Sequence, residues 1–227
     1  MMTPELIRTR LNADRMAKAR GDVVTGQTLL NTDALEDFKG EGYGPIPSSG
    51  ISYDRGAGAP GVKIKRTPAA VLVPFVDRAE GFFVLLTRRR DNMNNHAGQV
   101  AFPGGRVDDT DSTPVAAALR EAHEEVRIKP ESVDVLGCLD PYLTITGFDV
   151  LPVVGVVPPQ DFVPEPTEVA EIFEVPLSFL LNPANHQKVR RTVNGHDRAY
   201  YAMPYESHYI WGATAGMIIN LYEVLSG

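Results

Sequence analysis

A chain of 227 residues, 43% of them apolar, can build one large domain, or a domain with an extension, around a sizeable core. Its formal charge of −7 argues against the sequence-independent attraction to DNA, RNA or anionic membranes that a basic surface provides, but leaves room for a small nucleotide met by local cations. Cys138 is the only cysteine, which excludes an intrachain disulfide framework and a cysteine-based zinc site and suits a reducing compartment.

The N-terminal stretch MMTPELIRTRLNADRMAKAR carries charges throughout and no apolar run of signal-peptide length. No segment approaches the roughly 20 apolar residues of a membrane span. The expectation is a soluble cytoplasmic protein with neither nucleic acid nor membrane as partner. Residues Thr3 to Ala19 read as a helix, with Thr3 as N-cap, Pro4 in the first turn, and Leu6, Ile7, Leu11, Met16 and Ala17 on one side. Packing on the main domain is the reading adopted for it, with a homodimer contact or a lid as functional alternatives. From Gly40 to Gly61 glycine and proline dominate and periodicity vanishes, so this is a connector. The chain therefore divides into an extension over residues 1–62 and a domain over 63–227.

Ala69–Val76 is an apolar run with Pro74 inside it, a buried strand with the proline at a bulge or an edge. Phe82–Arg89 is a second strand, joined to the first through a hairpin-like connection and ending in the basic run Arg88, Arg89, Arg90. Gln99–Phe102 is a short strand leading into Gly104-Gly105. Asp111, Ser112 or Thr113 caps a helix with Pro114 in its first turn and Ala116, Ala117, Leu119, Ala122 and Val126 on its apolar face. Val133–Leu139 and Val150–Val157 are strands, and Thr167–Phe173 is a polar, acidic segment. A short helix runs from Pro176 to Leu181. A hairpin turns at Asn194-Gly195, and a final helix covers Trp211 to Leu225. Strands and helices mix without regular βαβ alternation, which favours an α/β or α+β layer fold around a mixed sheet.

The chemistry concentrates between Phe102 and Ile128. Glu121, Glu124 and Glu125 lie within five residues of one helix, and like charges one turn apart repel. A solvated acidic face is the ordinary outcome of such a run. The preceding glycine pair and its spacing favour a divalent cation instead, since hard cations take carboxylate and backbone carbonyl oxygens.

The glycine pair followed by REAHEEVRI, Arg120 to Ile128, resembles the Nudix box, GX5EX7REUXEEXGU. Arg120, Glu121, Ala122, Glu124, Glu125 and Ile128 match its second half. Asp111 takes the first acidic place with one extra residue before Arg120, and Arg127 stands where glycine is expected. Leu85 to Gly105 is similar to the signature of the coenzyme A pyrophosphatase branch of the Nudix hydrolases, as are Tyr142–Gly155 and Tyr209–Met217. Asn94 departs from that signature, which carries arginine there.

The resemblance implies an α/β/α Nudix sandwich around a mixed sheet. It implies hydrolysis of the diphosphate of coenzyme A or a derivative to 3′,5′-ADP and (acyl-)4′-phosphopantetheine. Another nucleoside diphosphate derivative (ADP-ribose, NADH or a dinucleotide) is the alternative substrate, and a non-catalytic binding module the alternative class. The implied cofactor is Mg²⁺ or Mn²⁺, held by the Gly105 carbonyl with Glu121, Glu124 and Glu125. The implied catalytic group is Glu121 and Glu124 with Arg120, which orients Glu124 or touches phosphate. The base is a helix glutamate or one from the later acidic segment, Glu168 or Glu171. Arg88, Arg89, His96, Gln99 and Arg106 are the expected substrate contacts, and Tyr209 and Trp211 either stack on adenine or join the core.

Overall fold

The computed structural model describes residues 2–12, 20–21, 51–52, 63–64, 67–91, 98–144, 146–193 and 196–227. The first helix, α1 (Pro4–Leu11), starts as expected, with the Thr3 hydroxyl accepting the Leu6 N–H at 3.3 Å and proline in the first turn. It ends at Leu11, and residues 13–19 of the expected longer helix lie outside the described residues.

β1 (Thr67–Arg78) and β2 (Gly81–Arg89) form the expected hairpin. The short strands β3 (Val100–Ala101) and β4 (Gly104–Arg106) pair antiparallel with β2 and β1. After α2 (Pro114–Val126) come β5 (Asp134–Cys138), β6 (Tyr142–Leu143), β7 (Phe148–Val157) and β8 (Val169–Pro176). A one-turn helix, α3 (Leu177–Leu180), leads to an antiparallel meander of β9 (Gln187–Val193), β10 (His196–Tyr205) and β11 (His208–Trp211). The chain closes with α4 (Gly212–Ser226). Among the described residues the main sheet has nine strands. Its path runs β6–β7–β1–β2–β8, with Arg20–Gly21 beside β6, β5 on β7, β4 on β1 and β3 on β2. β7 and β1 run parallel from Phe148↔Thr67 to Val157↔Val76, whereas β2 and β8 are antiparallel, so the sheet is mixed.

Successive side chains on β1 leave on opposite faces, and both faces are covered. Ala70, Leu72 and Val76, with Leu85, Val153 and Val157, meet Ala117, Ala118, Ala122 and Val126 of α2. Ala69, Val73 and Phe75, with Val84, Leu86 and Val154, meet Ile7 and Leu11 of α1 and Ala215, Ile218 and Leu221 of α4. The result is the expected α/β/α sandwich. Among the described residues no helix is long and apolar enough to cross a membrane.

Three features depart from the sequence reading. Pro74 sits in a central strand rather than at an edge. The Leu72 N–H faces β4, donating to the Pro103 carbonyl at 2.9 Å, so two residues on the Pro74 nitrogen faces the same side. There β1 changes partner from β4 to β2, and no ladder bond is lost. The acidic segment Thr167–Phe173 turns into the edge strand β8, whose glutamates are met by arginines: Glu171 by Arg88, and Glu174 by Arg78 at 2.5 Å. Trp211 ends a strand and precedes α4 rather than opening it.

α1 is part of the core and not an appendage. Ile7 is fully buried, Arg8 pairs with Asp134 at 2.7 Å, and Asn12 Nδ2 donates to the Leu136 carbonyl at 3.0 Å. Ile7→Ala should therefore lower the unfolding free energy by about 2–5 kcal/mol in a denaturant titration, the usual range for emptying a buried isoleucine site. A detached helix would leave the midpoint unchanged.

Candidate active site

Of the three possible caps it is Thr113 that starts α2, its hydroxyl accepting the Ala116 N–H at 3.1 Å with Pro114 next. The small residues Ala117, Ala118 and Ala122 let the helix lie close on β1, which carries its acidic face onto β4. Two glycines accept that approach. A Cβ at Gly104 would stand 2.4 Å from the Ala70 carbonyl oxygen, and one at Gly105 2.5 Å from Glu121 Oε1. At Gly104 the obstruction is backbone and no side chain fits, whereas a side chain at Gly105 would push the Glu121 carboxylate aside.

Glu125 is only 4% exposed. Its Oε2 accepts the Gly104 N–H at 3.2 Å, and Arg89 Nη1 lies 3.7 Å from Oε1. Burial pushes this carboxyl up to about 7, against the pull of Arg89 and the Gly104 N–H, and repulsion from Glu121 and Glu168 adds to the rise. Glu121 is raised too, mainly by burial, although Arg120 opposes this. Glu125 is thus held out of water with Arg89 no nearer than 3.7 Å, and Glu121 is partly so with Arg120 beside it.

Arg120 is the hub of the remaining contacts. It grips Asp111 with Nε and Nη2 at 3.0 and 2.9 Å, and its Nη1 reaches Glu121 at 3.0 Å and Glu124 at 3.2 Å. Its Nη2 also donates to the Arg106 carbonyl at 3.2 Å. The fork-to-fork pair holds the Asp111 carboxyl below the usual range and makes Arg120 a still weaker acid. Arg120 therefore bridges two glutamates of α2 and is anchored through Asp111 to the loop before the helix.

The strand register corrects one expectation. The Leu72 N–H donates to the Pro103 carbonyl and the Val107 N–H to the Pro68 carbonyl, so Ala70 and Gly105 form the hydrogen-bonded pair between them. The Gly105 carbonyl, expected at the cation, is committed to the ladder. Gly104 lies in the alternate position opposite Val71, with its N–H on Glu125 and its carbonyl on the same side. In an extended strand a residue's carbonyl leaves on the side of its N–H, so the backbone oxygen turned toward Glu125 is that of Gly104 and not that of Gly105.

The expected substrate contacts do not stay together. The pleat sends Arg89 toward Glu125 and Arg88 to the opposite face, where its Nη1 pairs with Asp91 at 3.0 Å and its Nε with Glu171 at 3.5 Å. Glu171 also meets His208 Nε2 at 3.0 Å, and the imidazole stacks on Phe173 at 3.7 Å. Glu171 is thereby removed from the acidic cluster. Glu168 is exposed on the turn before β8, close enough to repel Glu121 and Glu125. The Gln99 carbonyl accepts the Arg89 N–H at 2.9 Å. Arg106 is exposed and lies over the Phe148 ring, 5.5 Å from its centroid. Tyr209 is exposed, and Trp211 meets Tyr200 edge-on, with ring centroids 5.5 Å apart. His96 and Asn94 lie outside the described residues.

Among the described residues no three acidic or histidine side chains converge closely enough to hold a metal ion. Glu124 is 56% exposed and drawn to Arg120, whereas Glu125 is drawn to Gly104. The donor set nonetheless fits a hard cation in its chemistry: two desolvated carboxylates, a third one turn away, and a backbone carbonyl on the same side. Sequence reasoning singled out Arg127 for standing where glycine is expected but missed its partner Glu165, which joins the end of α2 to the Glu168 turn and carried no signal among its acidic and proline neighbours.

The NUDIX domain model matches residues 65–194 of the chain. Over 159 residues the chain is 47% identical to "Uncharacterized Nudix hydrolase NudL" of Enterobacter sp. (strain 638), covering 70% of this chain and 82% of that one. It is 45% identical over 154 residues to the protein of that name from Escherichia coli (strain K12 / DH10B), covering 67% and 80%. The solved Nudix hydrolase RenU from M. smegmatis aligns at 28% identity over 50% of this chain and 72% of that one, with a TM-score of 0.40. The domain match covers more than half of the sequence and carries the glutamates of α2, and this chain belongs to the Nudix hydrolase family.

Proposed function

We propose that this Nudix hydrolase is a metal-dependent, cytoplasmic pyrophosphatase that cleaves the diphosphate of coenzyme A or its derivatives, yielding 3′,5′-ADP and (acyl-)4′-phosphopantetheine. The observation that carries the reaction class is the buried Glu125 carboxyl, pushed up to about 7 beside a second desolvated carboxylate, Glu121. Such a pair is stabilised by cationic charge. The choice of coenzyme A rests on the similarity of Leu85–Gly105, Tyr142–Gly155 and Tyr209–Met217 to that branch of the family.

Glu121, Glu124, Glu125 and the Gly104 carbonyl would hold Mg²⁺ or Mn²⁺. The ion would supply charge for the phosphate oxygens and a lower pKa for a bound water. Arg120, fixed by Asp111, keeps Glu121 and Glu124 in place. Arg89 is the phosphate contact: among the described residues its Nε is buried without a hydrogen-bond partner, and planar N–H donors suit phosphate oxygens. Arg88 is already engaged with Asp91 and Glu171. Glu168 takes the proton of the attacking water as its oxygen bonds to phosphorus, and the bridging P–O bond breaks with its electron pair leaving on the departing phosphate.

A screen of coenzyme A, acyl derivatives, ADP-ribose and NADH with Mg²⁺ or Mn²⁺, products identified by mass, should show cleavage of coenzyme A and its derivatives that chelator stops. Cleavage of ADP-ribose with coenzyme A left intact would move the assignment to another diphosphate. Glu125→Gln should lower kcat by at least about 100-fold, the scale set by one charged group in such a site, with the circular dichroism spectrum unchanged. An active variant would remove Glu125 from the metal site.

The same group sets a pH dependence. The folded protein raises the Glu125 carboxyl from the ordinary 4.5 to about 7, so the fold binds this proton more tightly than the unfolded chain does. Its contribution is complete below the unfolded value and is lost as pH rises through the folded one. The loss is on the order of 3 kcal/mol, at about 1.4 kcal/mol per pH unit. In chelator, Tm should fall between about pH 5 and pH 8, and Glu125→Gln should flatten the slope.

A further inference from the structure

Arg127 follows α2 with φ 60° and ψ 28°, the left-handed conformation that glycine adopts freely and other residues adopt at a cost. Its N–H closes the helix on the His123 carbonyl at 3.1 Å, a bond glycine would make equally well. Its side chain adds something glycine lacks: Nη2 donates to Glu165 Oε2 at 2.6 Å.

Glu165 is a junction. Its N–H donates to the Glu125 carbonyl at 2.8 Å, joining it to the last turn of α2. Its carbonyl accepts the N–H groups of Glu168 at 3.1 Å and Val169 at 2.9 Å, which closes the turn that carries Glu168. Its Oε1 accepts the Thr167 hydroxyl at 3.2 Å. From the other side, the Arg90 N–H donates to the Glu168 carbonyl at 3.1 Å and the Arg90 guanidinium to the Pro166 carbonyl. The backbone of Glu168 is thus bracketed between β2 and the end of α2.

We propose that the Arg127–Glu165 pair is a positioning device that sets where Glu168 stands relative to the glutamates of α2, and so governs proton removal from the attacking water rather than substrate affinity. This rests on reading Glu168 as the base. A base must come within hydrogen-bond reach of its proton, and an exposed carboxylate on a loop turn keeps that reach only if the turn is held. Stability does not account for the pair. At 44% and 28% side-chain exposure it is a surface ion pair of small energetic weight, set beside a strained backbone.

The test compares Arg127→Gly, Arg127→Lys, Glu165→Gln, Glu168→Gln and the double variant Arg127→Gly/Glu168→Gln in the full chain, with coenzyme A, and ADP-ribose in parallel, under saturating Mg²⁺. Arg127→Gly and Glu165→Gln should each lower kcat about tenfold or more with KM within about twofold, since small misplacements of a catalytic group cost rate and not binding. Arg127→Lys should keep most of the rate, and the Tm of Arg127→Gly should equal or exceed that of the parent. In the Glu168→Gln background, Arg127→Gly should cost nothing further. If Arg127→Gly leaves kcat within about twofold while Glu168→Gln lowers it by about 100-fold, the positioning role is refuted and the base assignment stands. Independent, multiplying losses in the double variant would also refute it. An unchanged kcat in Glu168→Gln overturns the base assignment and the role of the pair together.

Discussion

One buried carboxyl organises this molecule. Glu125 lies between α2 and the short strand β4, held to the Gly104 N–H and facing Arg89 across 3.7 Å. For it to be there, the helix must lie close on the sheet, which its alanines allow, and β4 must lack side chains where the helix meets it, which its glycines provide. The parallel β7–β1 pair and the hairpin to β2 form the rigid floor beneath, and β2 delivers Arg89 from its far end. Packing and electrostatics are inseparable here: the same closeness that fills the core on this face strips water from the acid.

The second constraint is how the remaining acids are tolerated. Arg120 takes Asp111 bidentately and reaches Glu121 and Glu124, so a single guanidinium serves three carboxylates. Its own geometry is set from outside the helix, by the loop in which Asp108 accepts the Thr110 N–H and hydroxyl. The acidic face of α2 is therefore built from two layers, carboxylates in front and an arginine–aspartate clamp behind. This is the arrangement expected where side-chain position has to be maintained within a fraction of an ångström.

Much of this was legible in the chain and some was not. The apolar runs that became β1, β2 and β7, and the proline-led helix with its glutamates, carry strong local patterns, and they appear where expected. β8 was hidden because Glu171 and Glu174, three residues apart, put a charge on each face of the edge strand and break its apolar alternation, and their arginine partners on β2 and β1 show how those charges are met. The exchange of Gly105 for Gly104 as the inward-facing carbonyl depends on strand register, which no local motif states. Glu165 and Arg127 are 38 residues apart and meet only in the folded chain. The basic run at the end of β2 is one feature in the sequence, although a pleated strand separates neighbours by its own geometry.

That last point reaches further than one pair of side chains. Arg88 and Arg89 differ by a single step along the backbone, yet one belongs with Glu171 and His208 and the other with the acidic helix. Their identities are thus fixed by parity. A one-residue insertion early in β2 that the hairpin failed to absorb would exchange their sides, leaving the total charge of the strand untouched while placing each cation among the other's neighbours. Two adjacent codons for the same amino acid are, in this fold, addresses on opposite sides of a wall.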